Sequence, residues 1–255
     1  MCIRDSFPTY AKRVEKALLK QASTILTPSK VLAGDLKNLV PNASIVQIED
    51  VPIQSFFPKG TVDPAEIMSP FAERPSAVVV ANIFPDSEIE LNKFLMAARK
   101  VVDAIPQIAF FIKGVKSASA EDTAANLDIR DRCRFLDFDE TEEFLAALDV
   151  ADAALFIPRS KARCIHSELF TMLRSPAPVV AVGDVASAEI LTANNCVQVL
   201  PDPDSIAEGL LQVIQEPLLS IGLAMEGHQL VAEKYSASSF KHKIRMAYHE
   251  VLTNE

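Results

Sequence analysis

The sequence predicts an α/β protein built on a doubly wound parallel sheet, and three observations support this prediction. Short apolar runs, of the length and residue type of buried strands, recur along the chain. Between most of them lie stretches whose apolar residues recur at spacings of three and four, as on one face of a helix. The composition is globular, with 49% hydrophobic and 23% charged residues in 255. Such strand–helix alternation favours parallel strands joined by right-handed crossovers.

The individual elements follow in chain order. Strands are predicted at 23–27, 44–48, 76–81, 108–112, 133–136, 153–157, 178–182 and 196–200. Helices are predicted at 8–21, 30–39, 88–105, 121–129, 140–148, 166–174, 204–215, 218–233 and 237–252. The proline-rich segment 52–75 is predicted to be a loop between the first two strands and the rest.

The first forty residues do not look like the start of a domain. Residues 1–6 lack the apolar region of a signal peptide and are interpreted as a non-native leader outside the fold. One helix and one strand then follow, which is typical of the end of a preceding domain. We therefore expect residues 7–40 to be the remnant of an N-terminal domain, and 41–236 to form the main domain.

Charge and hydropathy exclude several classes of partner. The 25 Lys and Arg residues against 34 Asp and Glu give a net charge of −9, without a basic run. Nucleic acids and anionic membranes need clustered cations, so neither is expected as a partner. No apolar run approaches the roughly 18 residues of a transmembrane helix. Four scattered cysteines without a Cys-x-x-Cys motif indicate free thiols, and hence a cytoplasmic location.

Glycine is scarce, with only seven residues, and this weighs against the common phosphate-binding loops. The sequence has no Walker loop, no Gly-x-Gly-x-x-Gly and no Gly-x-Ser-x-Gly. The four histidines show no metal-ligand spacing, so no metal site is predicted. These absences disfavour a P-loop NTPase, an NAD enzyme and a serine hydrolase.

Three loops that follow strands could carry a ligand, because ligands of such sheets bind at the carboxyl ends of the strands. Asn82 opens a turn in which Asp86, Ser87 and Glu88 start a helix. The N-terminus of this helix could bind phosphate, or its own first residues could cap it. The turn at 113–116 holds two cations, suiting either a diphosphate or solvent. The loop at 157–168 holds three cations before a helix, and it is either anion-binding or an exposed basic loop.

Several segments, taken in order, resemble one protein family. Segments 22–29 (ASTILTPS) and 44–51, ending at 56–58 (FFP), are similar to the last strand and linker of its first domain. The runs RFLDF at 134–138, LDVADAALFIPRS at 148–160 and PVVA at 178–181 resemble "VxFLG", "AADVFVLPS" and "GxPVVA". EIL at 189–191 and VLPDPD at 199–204 resemble "EI…LVPPxD". The family is the retaining GT-B glycosyltransferases of group 1 (family 4-like), and the resemblance covers their C-terminal, donor-binding half.

The resemblance implies a Rossmann-like donor-binding domain at 41–236 and a last helix, 237–255, that returns to the N-terminal remnant. It also implies a nucleotide-sugar donor, which is a substrate and not a cofactor, and an unspecified acceptor. The donor-binding residues expected from the family positions and the three loops are Asn82, Lys113, Gly114, Phe138, Arg163 and Glu168. Phe138 follows the position at which the family flanks the nucleobase, and an aromatic ring there suits stacking.

The family's functional positions are substituted. Its phosphate-binding Arg and Lys correspond to Asn82 and Ser87, and its Glu-x7-Glu pair corresponds to Arg163 and Thr171. We therefore expect a glycosyltransferase-like protein that is catalytically impaired, and we assign no catalytic residue. The alternative is a non-catalytic relative that acts as a binding or regulatory module, either as a homo-oligomer or with an active homologue.

Overall fold

The computed structural model describes residues 8–49, 62–71, 74–84, 88–114, 118–137, 141–159, 162–183 and 186–253. Eight strands are observed in these ranges: β1 Thr24–Thr27, β2 Ser44–Gln47, β3 Ala77–Ile83, β4 Ile108–Lys113, β5 Cys133–Leu136, β6 Ala153–Ile157, β7 Val179–Val182 and β8 Val197–Val199. The helices are α1 Pro8–Gln21, α2 Lys30–Leu39, α3 Pro64–Met68, α4 Glu88–Ala104, α5 Ala118–Asn126, α6 Thr141–Asp149, α7 Ser167–Arg174, α8 Pro203–Gln215, α9 Pro217–Lys234 and α10 Ala237–Thr253.

The strands form two parallel sheets. Six of them lie in the order β5-β4-β3-β6-β7-β8, and β1 and β2 form a separate two-stranded sheet. Every pairing is parallel, so the predicted doubly wound α/β fold is confirmed. The chain moves outward from β3 to β5 and then returns to the other side of β3 with β6. The boundary between β3 and β6 is therefore the topological switch point of the sheet.

The six-stranded sheet is buried on both faces, which explains the almost continuous apolar character of its strands. All seven residues of β3 are buried. Alternate side chains enter two cores, because successive residues of a strand point to opposite faces. Val79 and Ala81 pack with Phe94 and other side chains of one core. Val78 and Val80 belong to the other core.

Two predictions about local structure were wrong. The segment 52–75 is not all loop, because α3 lies within it and its start is capped: Asp63 Oδ1 accepts a hydrogen bond from the Ala65 amide at 2.9 Å. The helix predicted at 121–129 is shifted toward the N-terminus and ends at Asn126. Asp128 then takes a left-handed conformation, with φ of 56°, which stops the helix.

The two-stranded unit packs against the six-stranded domain. It consists of β1, β2 and the helix α2 that connects them. β2 lies in the range predicted for the main domain, yet it pairs with β1. On α10, Lys243 Nζ lies 2.5 Å from Glu49 Oε2, just after β2. Of the helices described, none is both long and apolar enough to cross a membrane.

Candidate functional site

A polar pair interrupts the apolar face of the sheet at its carboxyl edge. Asn82 on β3 lies in register with Lys113 on β4 and with Phe156 on β6. Asn82 alternates with Val78 and Val80, so it points toward the core that contains Phe156. The two polar residues are buried, with exposed fractions of 0% for Asn82 and 4% for Lys113. This pair lies at the switch point, where ligands of doubly wound sheets bind.

The Asn82 amide is the clearest sign of a binding function. Within the described part of the chain, neither its Nδ2 nor its Oδ1 has a hydrogen-bond partner. A buried polar group left unpaired costs about 1–3 kcal/mol, and native structures hold few of them. An amide donates two hydrogen bonds and accepts others. The position therefore suits a ligand that offers both donors and acceptors, such as a hydroxyl-rich molecule.

Lys113 is a cation in an apolar setting. Its Nζ lies 4.6 Å from the centre of the Phe144 ring on α6, a distance at which the ring stabilises a cation. Burial lowers the pKa of Lys113, and the negative charge of Glu168 opposes that effect. Glu168 is half-buried in the first turn of α7. The buried lysine and this carboxylate together contribute no net charge to the edge.

Gly114 brings the ends of β3 and β4 together. Its φ is +139°, a conformation that residues with a side chain rarely adopt. A Cβ atom at this position would lie 1.5 Å from the Ile83 carbonyl oxygen, which is a severe overlap. The Gly114 amide donates a hydrogen bond to the Leu136 carbonyl oxygen at 3.4 Å. Glycine is thus required for the backbone approach that places Lys113 beside Asn82.

Phe84, directly after β3, contacts side chains from two neighbouring loops. The His166 ring, at the start of α7, lies with its centre 4.0 Å from that of Phe84 and tilted by 33°. The Arg159 guanidinium, after β6, lies 5.6 Å from the Phe84 ring centre. Sequence reasoning did not select Phe84 or Phe144, because a single phenylalanine at a strand end or in a helix is typical of core. The available signal was the position of Phe84, one residue beyond a strand.

Arg163 points toward the two-stranded unit and not toward Lys113. Its guanidinium forms an ion pair with Asp35 on α2, and its side chain is 63% exposed. Its carbonyl oxygen accepts a hydrogen bond from the hydroxyl of Ser29, the capping residue of α2. The structure therefore brings Asn82, Lys113 and Gly114 together with Glu168 nearby, while Arg163 is directed elsewhere. Phe138 lies outside the described residues.

Glu189 is a second contact between the sheet edge and the two-stranded unit, and sequence reasoning assigned it no role. Its Oε1 accepts hydrogen bonds from the Lys30 amide at 2.8 Å and the Val31 amide at 3.3 Å. Its Oε2 accepts one from Gln47 Nε2 at 3.0 Å. A carboxylate at a helix N-terminus pairs with the free amides and the positive end of the helix dipole. The carboxyl edge of the six-stranded sheet therefore faces α2 and β2.

Comparison by sequence finds no match to any protein-family model and none among curated proteins. Comparison by structure does find similar proteins. A glycosyltransferase from Rickettsia africae aligns over 100% of this chain and 69% of its own, with 16% identity and a TM-score of 0.75. Sucrose-phosphate synthase from Thermosynechococcus elongatus aligns over 100% of this chain, with 15% identity and a TM-score of 0.72.

A third similar structure is Anabaena HepE in complex with UDP and glucose. It aligns over 96% of this chain and 68% of its own, with 14% identity and a TM-score of 0.74. The three are glycosyltransferases of the GT-B fold, and this chain spans only 64% of the sucrose-phosphate synthase chain. At these identities the likeness shows the fold. The six-stranded domain has the Rossmann-like fold of the C-terminal domain of GT-B glycosyltransferases.

Proposed function

We propose that this chain is a glycosyltransferase-like protein of the retaining, group 1 type that binds a nucleotide sugar at the carboxyl edge of its sheet. The observation that carries the proposal is the buried amide of Asn82 at the switch point, which has no hydrogen-bond partner among the described residues. A sugar offers hydroxyl groups that both donate and accept hydrogen bonds, so it could pair with the NH2 group and with the oxygen of this amide. The bound UDP and glucose of HepE make UDP-glucose the first donor to test.

We further propose that sugar transfer by this chain is impaired. A leaving diphosphate needs fixed positive charge as its own negative charge develops. Here Lys113 is buried and its positive charge is balanced by Glu168, and Arg163 forms an ion pair with Asp35. Loss of one preorganised group of this kind typically lowers the rate about 10²- to 10³-fold. Binding of the donor is therefore expected to survive better than its chemistry.

The alternative is a non-catalytic relative that acts as a binding or regulatory module. Two hydrogen bonds favour it, from the Lys30 amide of α2 to Glu189 and from the Ser29 hydroxyl to the Arg163 carbonyl oxygen, because they occupy the side of the edge that faces the two-stranded unit. In this role the functional state would be the one in which the two-stranded unit packs against the sheet edge. The two candidates differ in whether any donor binds.

Thermal unfolding in the presence of donors distinguishes them. A ligand that binds only the folded state stabilises it by RT ln(1 + [L]/Kd), which is about 2.7 kcal/mol at a hundredfold excess over Kd. Titration with UDP-glucose and a panel of other UDP-, GDP- and ADP-sugars should give a saturable rise in melting temperature for one of them. A flat response to every donor would reject the binding proposal and favour the module.

Variants assign the binding to the proposed edge. Asn82→Leu keeps the branched shape and the number of heavy atoms of the side chain but removes the amide, so it should abolish the donor-induced rise while keeping the chain folded. Lys100→Met is a matched control on α4, because Lys100 pairs with Asp204 away from the edge.

Incubation with radiolabelled donors tests the impairment, and we expect neither transfer nor hydrolysis above a control without protein. Turnover by the parent chain that is lost in Lys113→Met would contradict the impairment and would assign the surviving activity to this edge.

A further inference from the structure

Two arginines of the loop between β6 and α7 lie in different surroundings. Arg159 lies against the Phe84 ring at the end of β3, with its guanidinium carbon 5.6 Å from the ring centre. Arg163 instead forms an ion pair with Asp35 on α2. Three residues later, the centre of the His166 ring lies 4.0 Å from that of Phe84. Arg163 therefore lies in a loop that borders the proposed donor site and also contacts the two-stranded unit.

The backbone of Arg163 is held separately from its side chain. The Ser29 hydroxyl donates a hydrogen bond to the Arg163 carbonyl oxygen. Ser29 is fully buried, and its oxygen also caps α2 by accepting a hydrogen bond from the Leu32 amide at 3.1 Å. The guanidinium, in contrast, belongs to a side chain that is mostly exposed. A change of partner by the guanidinium therefore requires no movement of the backbone.

Contacts that do not involve Asp35 hold α2 against the sheet edge. Glu189 accepts hydrogen bonds from the Lys30 and Val31 amides at 2.8 and 3.3 Å. The Val31 side chain packs against the buried core. Asp35 lies one turn after Val31, so the two residues share a face of the helix. Separation of Asp35 from Arg163 would therefore leave α2 in place.

The ion pair between Arg163 and Asp35 is of a kind that another anion can replace. Its side chains are 63% and 39% exposed, and ion pairs in such surroundings contribute little because water screens them. A guanidinium group binds a carboxylate and a phosphate through the same planar arrangement of N–H donors. The Asp35 carboxylate therefore occupies the group that a phosphate would bind.

We propose that Asp35 inhibits donor binding by holding Arg163, and that the diphosphate of the nucleotide sugar binds Arg163 when it displaces Asp35. This inference rests on the proposed function and adds regulation to the same site. Lys113 does not suit the role, because it is buried and its charge is balanced by Glu168. Arg163 is then the cation for the diphosphate, and Asp35 sets how much of the time it is available.

Titration calorimetry with UDP, GDP and ADP tests the proposal, and the corresponding nucleosides are controls without a diphosphate. Asp35→Asn keeps the size of the side chain and removes its charge, so Arg163 becomes available. We expect one diphosphate to bind this variant about threefold more tightly than the parent, as suits an exposed ion pair. The nucleoside should bind both proteins equally. Asp149→Asn removes an exposed carboxylate at the end of α6, near the opposite edge of the sheet, and should leave the affinity unchanged.

A double-mutant cycle shows whether the gain in affinity depends on Arg163. In an Arg163→Met background, Asp35→Asn should give no gain, because the cation is absent. An equal gain in both backgrounds would overturn the proposal, by showing that the Asp35 charge acts directly on the ligand. Diphosphate binding without any gain in Asp35→Asn would also overturn it and leave the proposed function standing. If no diphosphate binds the parent or the variant, the proposed function fails and the inference fails with it.

Amide hydrogen exchange tests whether the change of partner is local. Exchange in β1, α2 and β2 should be the same in the parent and in Asp35→Asn, because Ser29 and Glu189 keep their hydrogen bonds. Faster exchange throughout the two-stranded unit would overturn the proposal, since the gain in affinity would then come from detachment of the unit.

Discussion

Gly114 is the single residue whose replacement should be most damaging. Gly114→Ala would combine a left-handed backbone conformation with an overlap against the Ile83 carbonyl oxygen, at 1.5 Å. Strain and overpacking of this kind each cost about 1–3 kcal/mol. We expect the free energy of unfolding to fall by about 3 kcal/mol or more, measured by urea denaturation.

Gly183→Ala is the matched control for that experiment. Gly183 also follows a strand end, but a Cβ there meets no atom of the described chain within 4 Å. Its replacement should change the free energy of unfolding by less than about 0.5 kcal/mol. Equal losses in the two variants would mean that close approach to Ile83 is not what requires glycine at position 114.

Lys113 should make stability depend on pH in an unusual direction. Its pKa is lowered by burial, so between the folded-state pKa and the ordinary value of about 10.4 the unfolded chain binds more protons. The unfolding free energy of the parent, minus that of Lys113→Met, should therefore rise as pH increases through this window. Urea unfolding of both proteins at several pH values from about 7 to 10 gives the difference.

Lys100 provides the opposite case. Its pKa is raised by its hydrogen bond to Asp204, so any stability it contributes is present at neutral pH and lost as pH rises. The corresponding difference for Lys100→Met should stay flat or fall over the same range. If the Lys113 difference fell as well, Lys113 would be held in its charged form and would not be destabilised by burial.

The sequence predicted which residues would be cations at the sheet edge, but not their surroundings. Lys113 is the last residue of β4 and Arg163 lies in the loop after β6, and both have further basic residues close by in the sequence. Whether such a side chain faces Glu168 or Asp35 depends on contacts between distant parts of the chain. The Arg163–Asp35 pair, for example, joins residues 128 positions apart. Local patterns hold no information at that range.

At the scale of elements, the contact between Glu189 and α2 should hold the two-stranded unit in place. Glu189→Ala removes the acceptor of the Lys30 and Val31 amides, and loss of a helix cap typically costs about 1 kcal/mol. Amide hydrogen exchange should therefore accelerate in β1, α2 and β2. Exchange in β3 to β6 should not change, because those strands keep their own pairing.

Glu208→Ala is the control for the same measurement. Glu208 is an exposed carboxylate on α8, so its loss removes a similar charge without a role at α2. Acceleration in both variants would show that net charge, and not the cap, governs exchange in the two-stranded unit. Protection of α2 that survives in Glu189→Ala would show that the Ser29 cap is sufficient.

Elements were predicted well wherever residue pattern decides them. β3 and β4 are apolar except for Asn82 and Lys113 near their carboxyl ends, and both end within two residues of their predicted limits. α3 was missed because a short helix in a proline-rich segment shows no apolar period, although Asp63 followed by Pro64 is a helix-start signal. The end of α5 was misplaced because nothing in the sequence around Asp128 requires its left-handed conformation.

At the scale of the whole molecule, one ion pair joins segments near the two ends of the chain. Lys243 Nζ and Glu49 Oε2 lie 2.5 Å apart, and the side chain of Glu49 is only 10% exposed. Lys243→Met would leave this buried carboxylate without its cation. We expect a loss of about 1–3 kcal/mol in the free energy of unfolding, measured by thermal or urea unfolding.

The double variant Lys243→Met/Glu49→Gln separates charge from packing. Replacing both members removes the unpaired charge, so most of the lost stability should return. Additive losses in the two single variants would instead mean that each residue acts through separate contacts. Tyr235 is a candidate for such a contact, because Lys243 Nζ lies 5.6 Å from its ring centre.

The strand order also determines when the Asn82 site can form during folding. β3 and β4 are joined locally, with Ser76 bonded to Gln107 across a separation of 31 residues. β3 and β6 are joined by Val78 and Asp152, 74 residues apart, so closing that loop costs about 0.8 kcal/mol more in chain entropy. On a growing polypeptide, the Asn82 amide therefore stays hydrated until the second half of the sheet has been synthesised and docks. A ligand present at that moment would compete with departing water and so favour the docking step itself.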